Sequence, residues 1–119
     1  MIALRTLAVS LALAASSALA AWPEKPIKVY IGYAPGGSTD VVARLLSPKL
    51  GEKLGQPIII ENKPGGAGDL AAEMMLQAAP DGYTLMMSTV AVHAINPGLN
   101  KTRRFDPIND FTPIAMVCS

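Results

Sequence analysis

"PIKVYIGYAPGGSTDVVARLL", residues 26–46, decides how this chain folds. A β-rich run over 26–33 meets "PGGSTD" (35–40), and a helical pattern starts on the far side. Within "TDVVARLLSPKLGEKLG" (39–55), Val42, Leu45, Leu46, Leu50 and Leu54 recur at the spacing of one helix face. Ser38 or Thr39 is placed to cap that helix, Asp40 suits its first turn, and Gly55 suits its end. Pro48 falls inside and predicts a kink, or a split after Ser47. Strand, glycine turn and helix in succession are the opening of a βαβ unit.

The pattern repeats downstream. "QPIIIEN" (56–62) reads as a short apolar strand buried on both faces of a parallel sheet. The loop "KPGGAG" (63–68) follows, with Asp69 as N-cap of a helix over 70–79 and "PDG" (80–82) as the turn out. A third strand is expected at 83–89. A short helix over 90–100 is expected to break at Asn96-Pro97-Gly98. Residues 101–111 are polar and irregular, and "TPIAMVCS" (112–119) has the composition of a fourth strand. The order β-α-β-α-β-(α)-β predicts an α/β fold, a parallel sheet with right-handed crossovers and helices on both faces.

Ahead of this lies "MIALRTLAVSLALAASSALAAW": Arg5, an apolar run from Leu7 to Ala15, then Ala18-Leu19-Ala20. That is the layout of a secretory signal peptide, assigned to residues 1–20, and it predicts a periplasmic protein with 21–119 as the mature part. The run is shorter than the roughly 20 residues that span a bilayer. Without Arg5 the formal charge falls from +1 to zero, so no bulk field draws nucleic acid or anionic lipid. Cys118 is the single cysteine, which excludes an intrachain disulfide.

Ligands of such sheets bind beyond the carboxyl ends of the strands, here the segments 33–40, 62–68 and 88–96. In the first, glycines let successive N–H groups face one point, and the following helix adds uncommitted N–H groups and the positive end of its dipole. Ser38 and Thr39 add hydroxyls. An ionised carboxylate, which only accepts hydrogen bonds, fits such a cradle. Asp40 would repel it, so its expected place is structural, turned towards Arg44 or onto loop N–H groups. Other chemistries lack their residues. The loop has no G-x-x-x-x-G-K-[ST] and no G-x-G-x-x-G, and the chain has no G-x-S-x-G elbow. His93 is the only histidine, and no spacing suggests a metal site. No cofactor and no catalytic residue are expected.

Four ordered stretches, "WPEKPIKVYIGYAPGGSTDVVARLL", "LGQPIIIENKPGGAG", "AAPDGYTLMMST" and "HAINPGLNK…FDPINDFTPIA", resemble the N-terminal half of the Bug family. These are extracytoplasmic substrate-binding proteins of tripartite tricarboxylate transporters, and the likeness spans about residues 22–117. The resemblance implies one lobe of a two-lobed Venus-flytrap periplasmic binder of small carboxylates, which hands its solute to a permease of one large and one small subunit. It implies that Ala34, Pro35, Gly36, Gly37, Ser38 and Thr39 grip a carboxylate, partly through bound water, and that Tyr33 flanks the pocket. Ser88, Thr89, His93 and Ala94 would lie on the same rim, with Asp40 and Asn62 structural beside it. Family members continue past twice this length, so the second lobe is expected to be missing and the chain to be partial. Asp69 stands where the family more often has a neutral residue.

Three other functions suit the same residues. One is a periplasmic sensor that presents its ligand to a signalling partner, one a truncated fragment without function, and one a small periplasmic enzyme using "PGGST" as an oxyanion site.

Overall fold

The computed structural model describes residues 22–118; the segment read as a signal peptide lies outside them. Three parallel strands, β1 (Ile27–Ile31), β2 (Ile58–Asn62) and β3 (Thr84–Met87), stand in the order β2-β1-β3. Ile27 pairs with Ile58 and Ile31 with Asn62 on one side; Lys28 pairs with Thr84 and Ile31 with Met87 on the other. Helix α1 (Ser38–Leu54) connects β1 to β2, and α2 (Asp69–Leu76) connects β2 to β3. The two connections run in opposite directions along the sheet, so right-handed crossovers place α1 and α2 on opposite faces.

Central β1 carries the core, with Ile27 and Ile31 fully buried. Ala71 and Ala72 bring α2 close to the sheet, where Ala72, Val92 and Phe105 form a cluster with Leu76, Met86 and Phe111 packed around it.

Local expectations hold for element type and order as far as β3, and fail at several boundaries and in the last segment. β1 ends at Ile31 rather than 33, because Gly32 is already pressed against the next loop. A Cβ built on Gly32 would lie 2.4 Å from the Cα of Gly68. β2 is an edge strand, and Ile59 on it is 41% exposed, so it is not buried on both faces. β3 is four residues long and forms the opposite edge.

α1 runs unbroken through Pro48. The proline removes the N–H that would bond the Arg44 carbonyl, and the Ser47 hydroxyl takes its place at 3.2 Å. Its cap is Gly37 rather than Ser38 or Thr39, and that of α2 is Gly68 rather than Asp69, with no side-chain cap bond at either. The buried side of α1 also differs from the leucine stripe. Asp40 and Ala43 are buried while Leu45 is 70% exposed. Small residues win this face because helix and strand approach closely, down to Gly51, whose absent Cβ would meet the Gln56 carbonyl at 3.2 Å.

Two further corrections concern the end of the chain. A π-helical turn, Ala91–Ile95, runs directly into α3 (Asn96–Leu99) without the expected break, because Pro97 sits in the first turn, where its missing N–H costs nothing. Residues 112–118 are exposed and form no strand. Their apolar composition suits a sheet, but a strand forms only where a partner edge and a buried face receive it.

Gly32→Ala should therefore cost about 1–3 kcal/mol by forcing the loops after β1 and β2 apart. Urea unfolding of the two proteins measures this, and equal midpoints would show that the loops yield freely.

Candidate functional site

β1 and β3 lie side by side, both parallel. Ligands of an open parallel sheet bind beyond the carboxyl ends of its strands, which here is the crevice after Ile31 and Met87. The loop 32–37 and the residues after Met87 form its rim.

Asp40 organises the first loop from beneath. Its side chain is buried, and it accepts from the Gly36 N–H at 2.9 Å, from Arg44 Nε at 3.0 Å and from Asn62 Nδ2 at 2.9 Å. Asn62 also donates to the Tyr33 carbonyl at 3.1 Å and accepts from Arg44 Nη2 at 3.0 Å. One carboxylate thereby ties the loop, the first turn of α1 and the end of β2. The Arg44 guanidinium first, then the Gly36 N–H and Asn62, hold the Asp40 carboxyl well below the usual range. The same hydrogen bond raises the Arg44 pKa.

Arg44, its side chain half exposed, thus has its charge matched by Asp40, and the donors left for a ligand are main-chain N–H groups and the Ser38 and Thr39 hydroxyls. Of the four amides at 36–39, Gly36 is spent on Asp40 and Gly37 makes a long 3.4 Å bond to the Ala34 carbonyl. Among the described residues, no acceptor meets the N–H groups of Ser38, Thr39 or Asp40. They open a helix of 17 residues, which supplies the dipole that favours an anion. Gly36 has φ +86, a conformation that favours glycine. Ala34, Pro35, Gly36, Gly37 and Ser38 are exposed.

On the opposite rim the Tyr33 hydroxyl lies 2.7 Å from Thr89 Oγ1 and donates to the Ala67 carbonyl at 3.2 Å. Tyr33, Thr89 and the turn Gly66–Gly68 are thereby joined. Ser88 follows β3 and is half-buried, its hydroxyl 3.5 Å from the Thr89 carbonyl. His93 is held elsewhere: its Nδ1 lies 2.7 Å from the Pro107 carbonyl, and its ring meets Phe111 edge to face at 5.3 Å. Ala94 is exposed on the π-helical turn.

Sequence reasoning missed the group behind the Gly66–Gly68 turn. Asp69 accepts from Asn96 Nδ2 at 2.8 Å and from Arg103 Nη2 at 2.9 Å, and Asn96 also donates to the Gly66 carbonyl. Arg103 stacks on Phe105, 4.2 Å from the ring centre. The signal available was Asp69 itself, an acid needing a partner that lies 34 residues away. A cavity of about 360 Å³ opens beside this group, lined in part by Asp69, Asn100 and Arg103. Among the described residues no three His, Cys, Asp or Glu side chains gather to hold a metal, and no helix is long and apolar enough to cross a membrane.

The Asp40 pairing has a pH signature. Its folded pKa is depressed, so its contribution is complete above the unfolded value of about 3.9 and is lost as pH falls through the folded one. The stability difference between the natural protein and Asp40→Asn should be constant from neutral pH to about pH 5 and shrink below about pH 4. Denaturant titrations at several pH values check it, and a difference that grows on acidification would refute the pairing.

Comparison with known proteins places the chain in a family. Residues 42–119 match the tripartite tricarboxylate transporter family receptor, TctC. A UPF0065 protein in the gbd 5' region of Cupriavidus necator is 45% identical over 93 residues, covering 78% of this chain and 28% of that protein. MatC from Rhodopseudomonas palustris, solved with bound malate, is 41% identical with a TM-score of 0.77, over 81% of this chain and 33% of MatC. Rpa4515 of R. palustris, solved with adipate, is 35% identical with a TM-score of 0.69, over 72% and 29% of the two chains. The chain spans about a third of the length of the relatives it matches. With its parallel α/β sheet and four ordered motifs, it belongs to the TctC receptor family, the Bug type of solute-binding protein.

Proposed function

We propose that this chain is the N-terminal part of a periplasmic solute-binding protein that captures a small carboxylate for a tripartite tricarboxylate-type permease. The observation that carries the reading is the set of unmet N–H groups at Ser38, Thr39 and Asp40, opening α1 beyond the carboxyl end of the central strand. The Ser38 and Thr39 hydroxyls stand beside them. Malate in MatC and adipate in Rpa4515 are both dicarboxylates, the class that main-chain donors at a helix start would hold.

Ser38 and Thr39 grip the acid group, with Ala34, Pro35, Gly36 and Gly37 shaping the approach and Tyr33, Ser88 and Thr89 forming the far rim. His93 and Ala94 contribute less directly, since His93 anchors the segment at Pro107 and Phe111. Asp40 and Asn62 keep the loop in shape. The reading is of binding without turnover and without a cofactor.

The energetics require a second surface. Charge-assisted bonds contribute roughly 1.5–3 kcal/mol each, whereas micromolar affinity needs about 8 kcal/mol net of the cost of association. A few donors on an open rim fall short, so a second, closing surface belongs to the working receptor; about two-thirds of the relatives' length lies outside this match, which leaves room for one.

Ser38 is the first residue of α1 after its Gly37 cap, a position where proline is tolerated. Gly37 is extended (φ −72, ψ 166), as a residue before proline must be. In the full-length protein, Ser38→Pro should keep the fold while weakening malate binding about tenfold or more. Ser38→Ala separates the hydroxyl's share. Calorimetry reads both, and undiminished affinity in a folded Ser38→Pro protein would remove the amide from the site.

A further inference from the structure

We infer that Tyr33 fixes the hydrogen-bond polarity of Thr89 and so selects carboxylates that carry a hydroxyl or ammonium donor near the acid group. This rests on the carboxylate-binding reading above and adds the substrate class. The Tyr33 oxygen lies between two partners, the Ala67 carbonyl at 3.2 Å and Thr89 Oγ1 at 2.7 Å. A carbonyl only accepts, and a tyrosine hydroxyl has one proton. With that proton on Ala67, the short contact to Thr89 is made by the threonine's own proton. Thr89 then has no donor to offer a ligand and presents lone pairs alone.

The carbonyl that sets this direction is held from several sides. Ala67 has φ +52, unusual for a residue with a side chain. Asn96 Nδ2 lies 3.2 Å from the Gly66 carbonyl and 3.4 Å from that of Ala67. Asn96 and Arg103 converge on Asp69. Gly68 leaves no room to shift, since a Cβ there would meet Val92 Cγ2 at 2.7 Å. The relay therefore has a fixed start and a fixed sense.

Lone pairs repel a carboxylate and attract a donor. The acid group accordingly belongs at the Ser38 and Thr39 amides, and what faces Thr89 is a hydroxyl or ammonium. Tyr33 acts here as a positioning residue.

Malate and succinate share the same carbon chain and two carboxylates and differ by one hydroxyl, so their affinity ratio isolates this contact. In the full-length protein malate should bind about fivefold tighter than succinate, the size of one added hydrogen bond. Tyr33→Phe frees the threonine proton and should bring the ratio close to one, even where overall affinity falls. Thr89→Val, which leaves the Tyr33–Ala67 bond in place, should do the same. Equal binding of the two acids by the natural protein, or a ratio that both variants leave unchanged, overturns the inference. Failure of the natural protein to bind either acid would instead sink the carboxylate reading on which it rests.

Discussion

A carboxylate buried beneath the loop that is proposed to hold a carboxylate is the constraint on which the rest of this structure depends. Asp40 occupies the first turn of α1, where negative charge favours the helix, yet an exposed acid there would repel an incoming anion. The fold sinks it and surrounds it with Gly36, Arg44 and Asn62. The charge becomes a peg. It holds Gly36, the helix start and the end of β2 in one arrangement, and it consumes the one guanidinium nearby. What remains at the surface is main-chain dipole, oriented by a helix and uncancelled by side chains.

A second constraint acts on the loops from outside. Gly32 and Gly68 touch backbone to backbone, and Gly68 is covered by Val92. Gly32 follows β1, Gly68 precedes α2 and Val92 lies within the π-helical turn, so their contact brings these three elements together. Tyr33, directly after Gly32, is thereby delivered to Ala67 and Thr89. The buried Asp69–Arg103 pair steadies the same turn from behind. A buried pair of this sort adds little net stability over an apolar equivalent but penalises the loss of either partner. Its effect here is to keep one carbonyl pointing one way.

Much of this was legible along the chain. The alternation of β-rich runs and helical spacing gave the parallel α/β sheet, because both periods are written in local sequence. The glycine loops fell at the strand ends, and the pairing of Asp40 with Arg44 followed from a four-residue spacing on a helix. Other features were hidden. The leucine stripe of α1 misled because the close approach of helix and strand favours Ala43 and Gly51 over larger side chains. Pro48 misled because Ser47 repairs the backbone bond that the proline breaks. The run 112–118 reads as a strand by composition, but nothing local says whether an edge is there to pair with it. The contact of His93 Nδ1 with the Pro107 carbonyl, 14 residues on, was equally out of reach of local reading.

The sequence by itself determined the order of elements, the family motifs and the chemistry available at the first loop, since each depends on neighbours within a few residues. Only the tertiary structure decided which of the loop's amides are already committed, which groups the Tyr33 hydroxyl meets, and that Arg103 is the partner of Asp69. Hydrogen-bond direction and charge pairing depend on groups tens of residues apart meeting at bonding distance, and only the packed chain sets those distances.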